Sequence, residues 1–205
     1  LQEYQSKKLM HKSGINIQKF VVADSSDSAE KLLRNFKAQE YVVKAQILSG
    51  GRGNGFFTNG FRGGIHITKN AQEIPSLVSK MIGFNLITQQ TPEQGVTVNK
   101  VMIAEALDIA RETYLAILFD RRSSCPMIIA SPRGGVDIEE IARTSPGDIH
   151  REIIDLDDGG LFLLGAQASF LATKLGFTSS SHTFAAEQIK RLYKIFIQLD
   201  CIQAS

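Results

Sequence analysis

Apolar residues recur along this chain with two different periods, which predicts both helices and strands. Five of them fall at i, i+3, i+4, i+7 and i+8: Ile74, Leu77, Val78, Met81 and Ile82. That spacing places them on one face of an α-helix, and Gly83 is suited to end it. By contrast, the run at 41–47 is short and rich in aromatic and β-branched residues, which is typical of a strand.

The same two patterns divide the rest of the chain. Further helices are predicted at residues 1–12, from Asp27 onward, at 137–143 and at 183–199. Further strands are predicted at residues 20–22, 64–67, 96–107, 113–120 and 127–131. The Gly-punctuated stretch 157–167 gives no clear pattern, and a boundary between two halves is expected near 107–114. We therefore expect a mixed fold of helices and sheets.

Composition and charge argue against some functions as the main role. Hydrophobic residues make up 43% of the 205 residues, and the net charge is +2. These values are ordinary for a globular domain and give no reason to expect binding to nucleic acid or to a membrane. Cys125 and Cys201 form no Cys-x-x-Cys motif, so we expect free thiols in a reducing compartment.

The first candidate for chemistry is the stretch 50–55, Gly-Gly-Arg-Gly-Asn-Gly, which follows the strand at 41–47. Glycines let backbone N–H groups approach an anion closely, and the guanidinium of Arg52 suits phosphate oxygens. Lys44, on the preceding strand, can reach the same phosphates. The spacing is neither that of a P-loop nor Gly-x-Gly-x-x-Gly. Two interpretations stay open, a lid over phosphates and a mobile hairpin tip.

The second candidate is an apolar strand that ends in acidic residues. Residues 101–104 are apolar, Glu105 and Asp108 follow, and Glu112 lies just beyond. Such an end can offer backbone groups to the edge of a base and carboxylates to a ribose. The alternative is an ordinary solvated strand end.

Several long motifs carry a resemblance to a known family. They occur in this order between Leu1 and Phe177: LQEYQSKKLM, VVKAQILSGGRGNG, VNKVMIAEALDIARETYLAI, ASPRGGVDIEEIA and KLGF. Together they resemble the amino-terminal part of succinyl-CoA ligase β subunits. The resemblance implies an α+β fold of the ATP-grasp type, in which two subdomains hold a nucleotide between their sheets. It places the first part, with the glycine loop, at residues 1–107 and the second at 108–205.

The resemblance also implies which residues meet the phosphates of the nucleotide. Lys44 corresponds to the family's strand lysine on those phosphates. Gly51, Arg52 and Gly53 correspond to its Gly-Arg-Gly loop.

Four more residues correspond to family positions near the base and the rest of the nucleotide: Gln18, Glu105, Leu107 and Glu112. Glu105 and Leu107 lie where the family's linker strand meets the base, and Gln18 matches a base contact of the guanine-using form. The stretch 105–117 resembles the GTP/GDP-using subunit more than the ATP/ADP-using animal subunit. We therefore expect GTP or GDP as the ligand, with ATP or ADP as the alternative.

The family reaction joins succinate and coenzyme A while a nucleoside triphosphate is cleaved. A phosphohistidine on a partner α subunit carries the phosphoryl group, and none of the four histidines here matches it. We therefore expect an α-subunit partner, Mg²⁺ in the full-length protein, and no catalytic residue in this chain. The mitochondrial matrix is the expected compartment, with a targeting peptide removed before Leu1.

The chain departs from the family after Gln203, where Gln-Val-Glu-Val-Asn-Pro is expected. We expect a truncated second part whose Asn and Asp metal ligands lie beyond Ser205, without the family's carboxy-terminal domain. Such a chain is expected to be inactive alone. Two alternatives stay open: a non-catalytic nucleotide- or partner-binding fragment, and another ATP-grasp acyl-CoA ligase.

Overall fold

The chain divides into two compact units. The structure, a computed structural model, describes residues 1–135, 138–154 and 165–204. The first unit comprises Leu1–Leu9 and Ile17–Asp108, and the second comprises Met10–Asn16 and Ile109–Ser205.

The first unit contains a four-stranded antiparallel sheet and a smaller three-stranded sheet. Its elements are α1 (Glu3–Lys12, whose last residues belong to the second unit), β1 (Phe20–Ala23), α2 (Ser26–Asn35), β2 (Tyr41–Gln46), β3 (Phe56–Phe57), β4 (Ile65–Thr68), α3 (Ile74–Met81), β5 (Asn85–Ile87), β6 (Val96–Thr97) and β7 (Lys100–Glu105). The larger sheet has the order β1-β7-β2-β4, and the smaller has the order β3-β5-β6. Pairing of β2 with β7 sets Tyr41 opposite Glu105 and Lys44 opposite Met102.

Alternation along β2 decides which side chains enter the core of the first unit. Val43 and Ala45 are fully buried, whereas Lys44 between them is only partly buried. Ile74 and Val78 of α3 belong to the same buried cluster, as the spacing predicts. The strand therefore contributes one face to the core and presents Lys44 on the other.

The second unit is a four-stranded antiparallel sheet with helices packed against it. Its elements are β8 (Tyr114–Asp120), β9 (Cys125–Ser131), α4 (Ile138–Thr144), β10 (His150–Ile153), α5 (Gly165–Lys174), α6 (Ser179–Gln198) and β11 (Gln203–Ala204). The strand order is β10-β9-β8-β11. The core joins Ile117 and Ile128 of the sheet to Leu171 of α5 and to Tyr193 and Phe196 of α6.

Several element boundaries differ from the prediction for local reasons. Helix α6 begins at Ser179 rather than Thr183, because Thr178 and Ser181 form a capping box. Helix α2 is capped by the side chain of Ser25, which accepts from the amide of Ser28, and not by Asp27. The single strand predicted at 96–107 is two strands, β6 and β7.

Some predicted segments lie partly outside the described residues, and other elements were not predicted. Most of the stretch 157–167 and the first residue of the helix predicted at 137–143 fall outside them. Helix α5 and strands β3, β5, β10 and β11 were missed. Within the described part of the chain, none of the helices combines the length and apolar character that a membrane crossing requires.

Replacing Gly64 by Ala is expected to destabilise the first unit by about 1–3 kcal/mol. A Cβ built there would lie 2.8 Å from Leu86 Cδ2 and 3.0 Å from the carbonyl oxygen of Arg52, so the glycine loop must shift. Urea unfolding measures the change. Gly53→Ala is the matched control, because a Cβ there meets no atom within 4 Å. Equal unfolding free energies for the two variants would contradict the expectation.

Candidate functional site

The glycine-rich stretch forms an ordered turn in the first unit. Gly51 has the left-handed backbone conformation, with φ of 71°, and residues Arg52–Asn54 form one turn of 3₁₀ helix. The carbonyl oxygen of Arg52 accepts from the amides of Gly55 at 3.2 Å and of Gly64 at 2.8 Å. The loop is therefore tied to the chain that leads into β4.

Three successive backbone amides of this turn are available to bind a ligand. Within residues 1–135, 138–154 and 165–204, no group accepts a hydrogen bond from the amides of Gly51, Arg52 or Gly53. Gly53 needs neither a left-handed backbone nor the missing Cβ for space. Packing and backbone conformation therefore do not explain why residue 53 is a glycine. At residue 51, the positive φ explains it.

Gln46 explains why α1 lies beside the end of β2. Its side chain is fully buried, which is unusual for Gln. Gln46 Oε1 accepts from the amide of Tyr4 at 3.1 Å, and its backbone carbonyl accepts from the side chain of Gln2 at 3.3 Å. Because the first amides of a helix lack internal acceptors, this buried amide serves as their partner and fixes the helix start.

Helix α1 thereby brings Glu3 to the predicted phosphate-binding cations. Lys44 Nζ lies 3.1 Å from Glu3 Oε1, and Arg52 Nη2 lies 2.7 Å from Glu3 Oε2. Arg52 Nη1 also donates to the carbonyl oxygen of Ala45 at 2.8 Å, so the guanidinium is held on two sides. Lys7, one turn after Glu3, places Nζ 3.4 Å from the same Oε1. We call Glu3, Lys7, Lys44 and Arg52 the Glu3 cluster.

Lys7 connects this cluster to the end of β7. Its ammonium donates to Gln18 Oε1, and Gln18 Nε2 donates to the carbonyl oxygen of Glu105 at 2.6 Å. The carboxylate of Glu105 accepts from the amide of Lys19 at 2.9 Å. The orientation of the Gln18 amide follows from its two partners, since a flipped amide would set donor against donor and acceptor against acceptor.

The charges in the Glu3 cluster are strongly coupled. Burial acts to raise the pKa of Glu3, but Arg52 and Lys44 outweigh it and lower the pKa from 4.5 to about 2. Burial lowers the pKa of Lys7, and Lys44 and Arg52 add to this while Glu3 opposes it. Three cations share one carboxylate, with side chains between 17% and 22% exposed, which leaves a positive excess for an added anion.

The structure thus joins four of the predicted site residues in one network of the first unit: Gln18, Lys44, Arg52 and Glu105. Gly51 and Gly53 flank Arg52 in the turn. Leu107 belongs to the same unit and is 57% exposed, so a large apolar surface is available there.

Glu112 belongs to the second unit. Its carbonyl oxygen accepts from the amide of Gly134 at 3.0 Å, and its carboxylate lies where a Cβ on Gly135 would stand. It lines a pocket of about 460 Å³ with Arg133 and Glu140. The preceding Arg111 donates to the carbonyl oxygen of Leu175 at 2.6 Å and stacks on Phe177. The second unit therefore fixes the segment that carries Glu112.

Sequence reasoning missed Glu3 and Lys7. The signal available for them was their i, i+4 spacing on a predicted helix, which forms ion pairs on helix surfaces. That spacing did not indicate that the pair would meet Lys44 and Arg52, because the contact depends on the packing of α1 at the end of β2.

The sequence of this chain matches a known protein family. A family model described as an ATP-grasp domain matches residues 1–205. The chain is 51% identical over 203 residues to the mitochondrial GDP-forming succinate–CoA ligase β subunit of Sus scrofa, covering 99% of this chain and 46% of the relative. It is 43% identical to the ADP-forming β subunit of Dictyostelium discoideum, covering 97% and 44%. The chain thus spans about half the length of the curated relatives it matches.

Solved structures show the same fold at low sequence identity. ACD1 of Ca. Korarchaeum cryptofilum, in complex with coenzyme A, superposes with a TM-score of 0.68 at 14% identity, covering 99% of this chain and 83% of that one. ATP citrate lyase from Methanothrix soehngenii, in complex with citrate and coenzyme A, gives 0.65 at 16%, covering 99% and 45%. The ATP-grasp type expected from the sequence is confirmed.

Glu3 is expected to make the first unit sensitive to acid. Its pKa of about 2 in the fold lies below the ordinary 4.5, so its contribution to stability is complete above pH 4.5 and is lost as the pH falls toward 2. The shift corresponds to roughly 3 kcal/mol, which partial exposure screens to about 1 kcal/mol. Urea unfolding of the unaltered chain and of Glu3→Gln measures this. Their stability difference should shrink between pH 5 and 3, and a constant difference would contradict the assignment.

Proposed function

Because the chain belongs to the ATP-grasp domain family, we propose that it is the nucleotide-binding part of the β subunit of a GDP-forming succinyl-CoA ligase. The observation that carries the proposal is the Glu3 cluster beside the amides of residues 51–53, which have no acceptor in the part of the chain that the structure describes. Cations and free amides at one loop form the kind of site that binds a phosphate chain. The identity of about half to GDP-forming relatives supports the choice of enzyme.

The phosphates are proposed to lie on Lys44, Arg52 and the turn of Gly51 and Gly53. Arg52 donates one N–H to Glu3 and one to the carbonyl of Ala45, and a guanidinium carries five N–H donors. Lys44 has one acceptor, Glu3, among the described residues, and an ammonium carries three donors. Both cations thus keep donors for phosphate oxygens.

The base is proposed to lie at the end of β7, where Gln18 and Glu105 meet and Leu107 is exposed. The apolar surface of Leu107 suits the face of a purine. The Gln18 amide, fixed by Lys7 and Glu105, retains one N–H and one lone pair for the edge of the base. Glu112 is proposed as a further acidic contact to the nucleotide.

Guanine is proposed in preference to adenine. GDP-forming subunits of Sus scrofa and Homo sapiens are 51% and 50% identical to this chain. The ADP-forming subunit of Dictyostelium discoideum is 43% identical, close to the 44% of the GDP-forming subunit from the same organism. Adenine is therefore the alternative that a binding measurement must separate.

The described residues do not complete a metal site. Over residues 1–135, 138–154 and 165–204, no group of three or more His, Cys, Asp or Glu side chains is placed to hold a metal ion. ATP-grasp membership is usually accompanied by Mg²⁺ on the phosphates, where the ion neutralises charge. We propose that Mg²⁺ accompanies the nucleotide, as is usual for this family.

The remaining features of the enzyme are proposed from the names of the relatives. Its relatives are β subunits named as mitochondrial, which supports an α-subunit partner and the mitochondrial matrix. Succinate and coenzyme A are the proposed substrates, and the phosphohistidine belongs to the α subunit. The competing interpretation is a non-catalytic fragment that binds nucleotide or a partner.

Lys44→Met is expected to weaken GDP binding at least about tenfold, the effect of losing one charge-assisted contact to phosphate. Isothermal titration with GDP and ADP measures both the loss and the base preference, and GDP should bind more tightly. Lys69→Met, which removes an exposed lysine, is the matched control. The proposal fails if the unaltered chain binds neither nucleotide, or if both variants bind GDP equally well.

Gly53→Ala is expected to reduce GDP binding while leaving the unfolding free energy within about 0.5 kcal/mol. A Cβ at Gly53 meets nothing within the protein but would stand where phosphates approach the loop amides. The matched control is Gly147→Ala, since a Cβ at Gly147 also meets nothing within 4 Å. Unchanged GDP affinity in Gly53→Ala would contradict the proposed contact between the loop and the phosphates.

A further inference from the structure

Glu3 stands between the two cations assigned to the phosphates, and none of the assigned nucleotide contacts includes it. Each of its oxygens is engaged, Oε2 by Arg52 at 2.7 Å and Oε1 by Lys44 at 3.1 Å. An acidic residue inside an anion site lowers the local positive charge. Its presence therefore needs an explanation other than attraction of the ligand.

The contacts of Glu3 fix the cations without using up their donors. Arg52 donates through Nη1 to the Ala45 carbonyl and through Nη2 to Glu3, and these two contacts restrict its rotation. Holding a long side chain in one geometry removes the entropy that a ligand would otherwise have to remove on binding. Glu3 thus preorganises the cation side chains, because their loss of conformational entropy occurs during folding rather than during binding.

Glu3 also offsets repulsion inside the cluster. Lys7 and Lys44 both approach Glu3 Oε1, at 3.4 and 3.1 Å, so their ammonium groups are close neighbours. With Arg52 and Lys44 nearby and most of its side chain buried, Lys7 would lose its proton more readily if the carboxylate were removed.

We propose that Glu3 is a positioning residue of the nucleotide site, which holds the ammonium groups of Lys7 and Lys44 and the guanidinium of Arg52 in place for a phosphate chain. This inference rests on the proposed function and adds Lys7 as a third cation of the site. The chemistry recognised is the polyphosphate of a nucleoside diphosphate or triphosphate.

A competing role for Glu3 predicts the opposite sign. If its carboxylate merely occupied the place of a phosphate, Glu3→Gln would raise the net charge and tighten binding. If Glu3 positions the cations, the same variant weakens binding although the charge becomes more positive. The direction of the change therefore separates the two roles.

The pH dependence gives a second criterion that a purely structural role would not meet. The charged groups facing one another here are Glu3 and Lys7 from α1, Lys44 from β2 and Arg52 from the turn, with the neutral Gln18 beside Lys7. Because Glu3 opposes the effects of burial, Lys44 and Arg52 that lower the pKa of Lys7, Lys7 releases its proton at a lower pH without Glu3. The affinity of Glu3→Gln for GDP should then decline at a lower pH than that of the unaltered chain.

The test is isothermal titration with GDP at low salt from pH 6.5 to 9.5. Glu3→Gln should bind about tenfold more weakly at pH 7.5, the effect of roughly one charge-assisted contact. Glu3→Asp, which keeps the charge, should restore the pH profile and part of the affinity. The matched control is Glu93→Gln, which removes an exposed carboxylate and should leave binding unchanged.

The outcomes distinguish this inference from the function on which it rests. If the unaltered chain binds GDP and Glu3→Gln binds it as tightly with the same pH profile, the inference alone is overturned. If Glu3→Asp is as weak as Glu3→Gln at every pH, the charge of Glu3 is not what matters, and the inference is again overturned. If the unaltered chain does not bind GDP, the proposed function and the inference both fail.

If Glu3→Gln does not fold, a variant that retains Glu3 can test the inference instead. Lys7→Met leaves the contacts of Glu3 with Lys44 and Arg52 in place. It should bind GDP about threefold more weakly, the effect of losing a partly screened charge. Unchanged affinity would exclude Lys7 from the site and overturn the inference.

Discussion

One carboxylate held by three cations is the interaction on which the candidate site depends. Glu3 joins Lys44 of a sheet strand, Arg52 of a glycine turn and Lys7 of its own helix. Each cation alone would be an ordinary surface charge with a small effect. Held together and mostly buried, they form a positive cluster whose geometry is set by the fold, and preorganised cations of this kind favour the binding of phosphate groups.

The rest of the first unit explains how these groups meet. The buried Gln46 fixes the start of α1 against the end of β2, and the carbonyl of Arg52 ties the glycine turn to Gly64. The Lys7–Gln18 contact then extends the network to Glu105 at the end of β7. Polar groups that are partnered in a low-dielectric setting constrain one another strongly. A continuous network of hydrogen bonds and ion pairs therefore connects the Glu3 cluster to the end of β7.

Sequence patterns predicted the parts of this structure that depend on local spacing. Helix α3 follows from its apolar stripe, and β2 from its run of β-branched residues. The long motifs identified the ATP-grasp fold, which no single spacing could establish. Helix α5 was missed, because residues 165–169 are mostly small or polar and give little apolar stripe to detect. Glu3 was missed because its role arises from contacts 41 and 49 residues away along the chain. Lys7 was missed because its role depends on the position of Glu3.

The most direct test of this account follows the lysine ammonium groups themselves. Nuclear magnetic resonance of labelled lysine side chains, recorded during a titration with GDP, reports Lys7 and Lys44 separately. The account predicts that the Nζ signals of both residues shift and saturate together, while that of the exposed Lys69 stays unchanged. GDP binding that leaves the signals of Lys7 and Lys44 in place would contradict it, because the nucleotide would then be bound elsewhere.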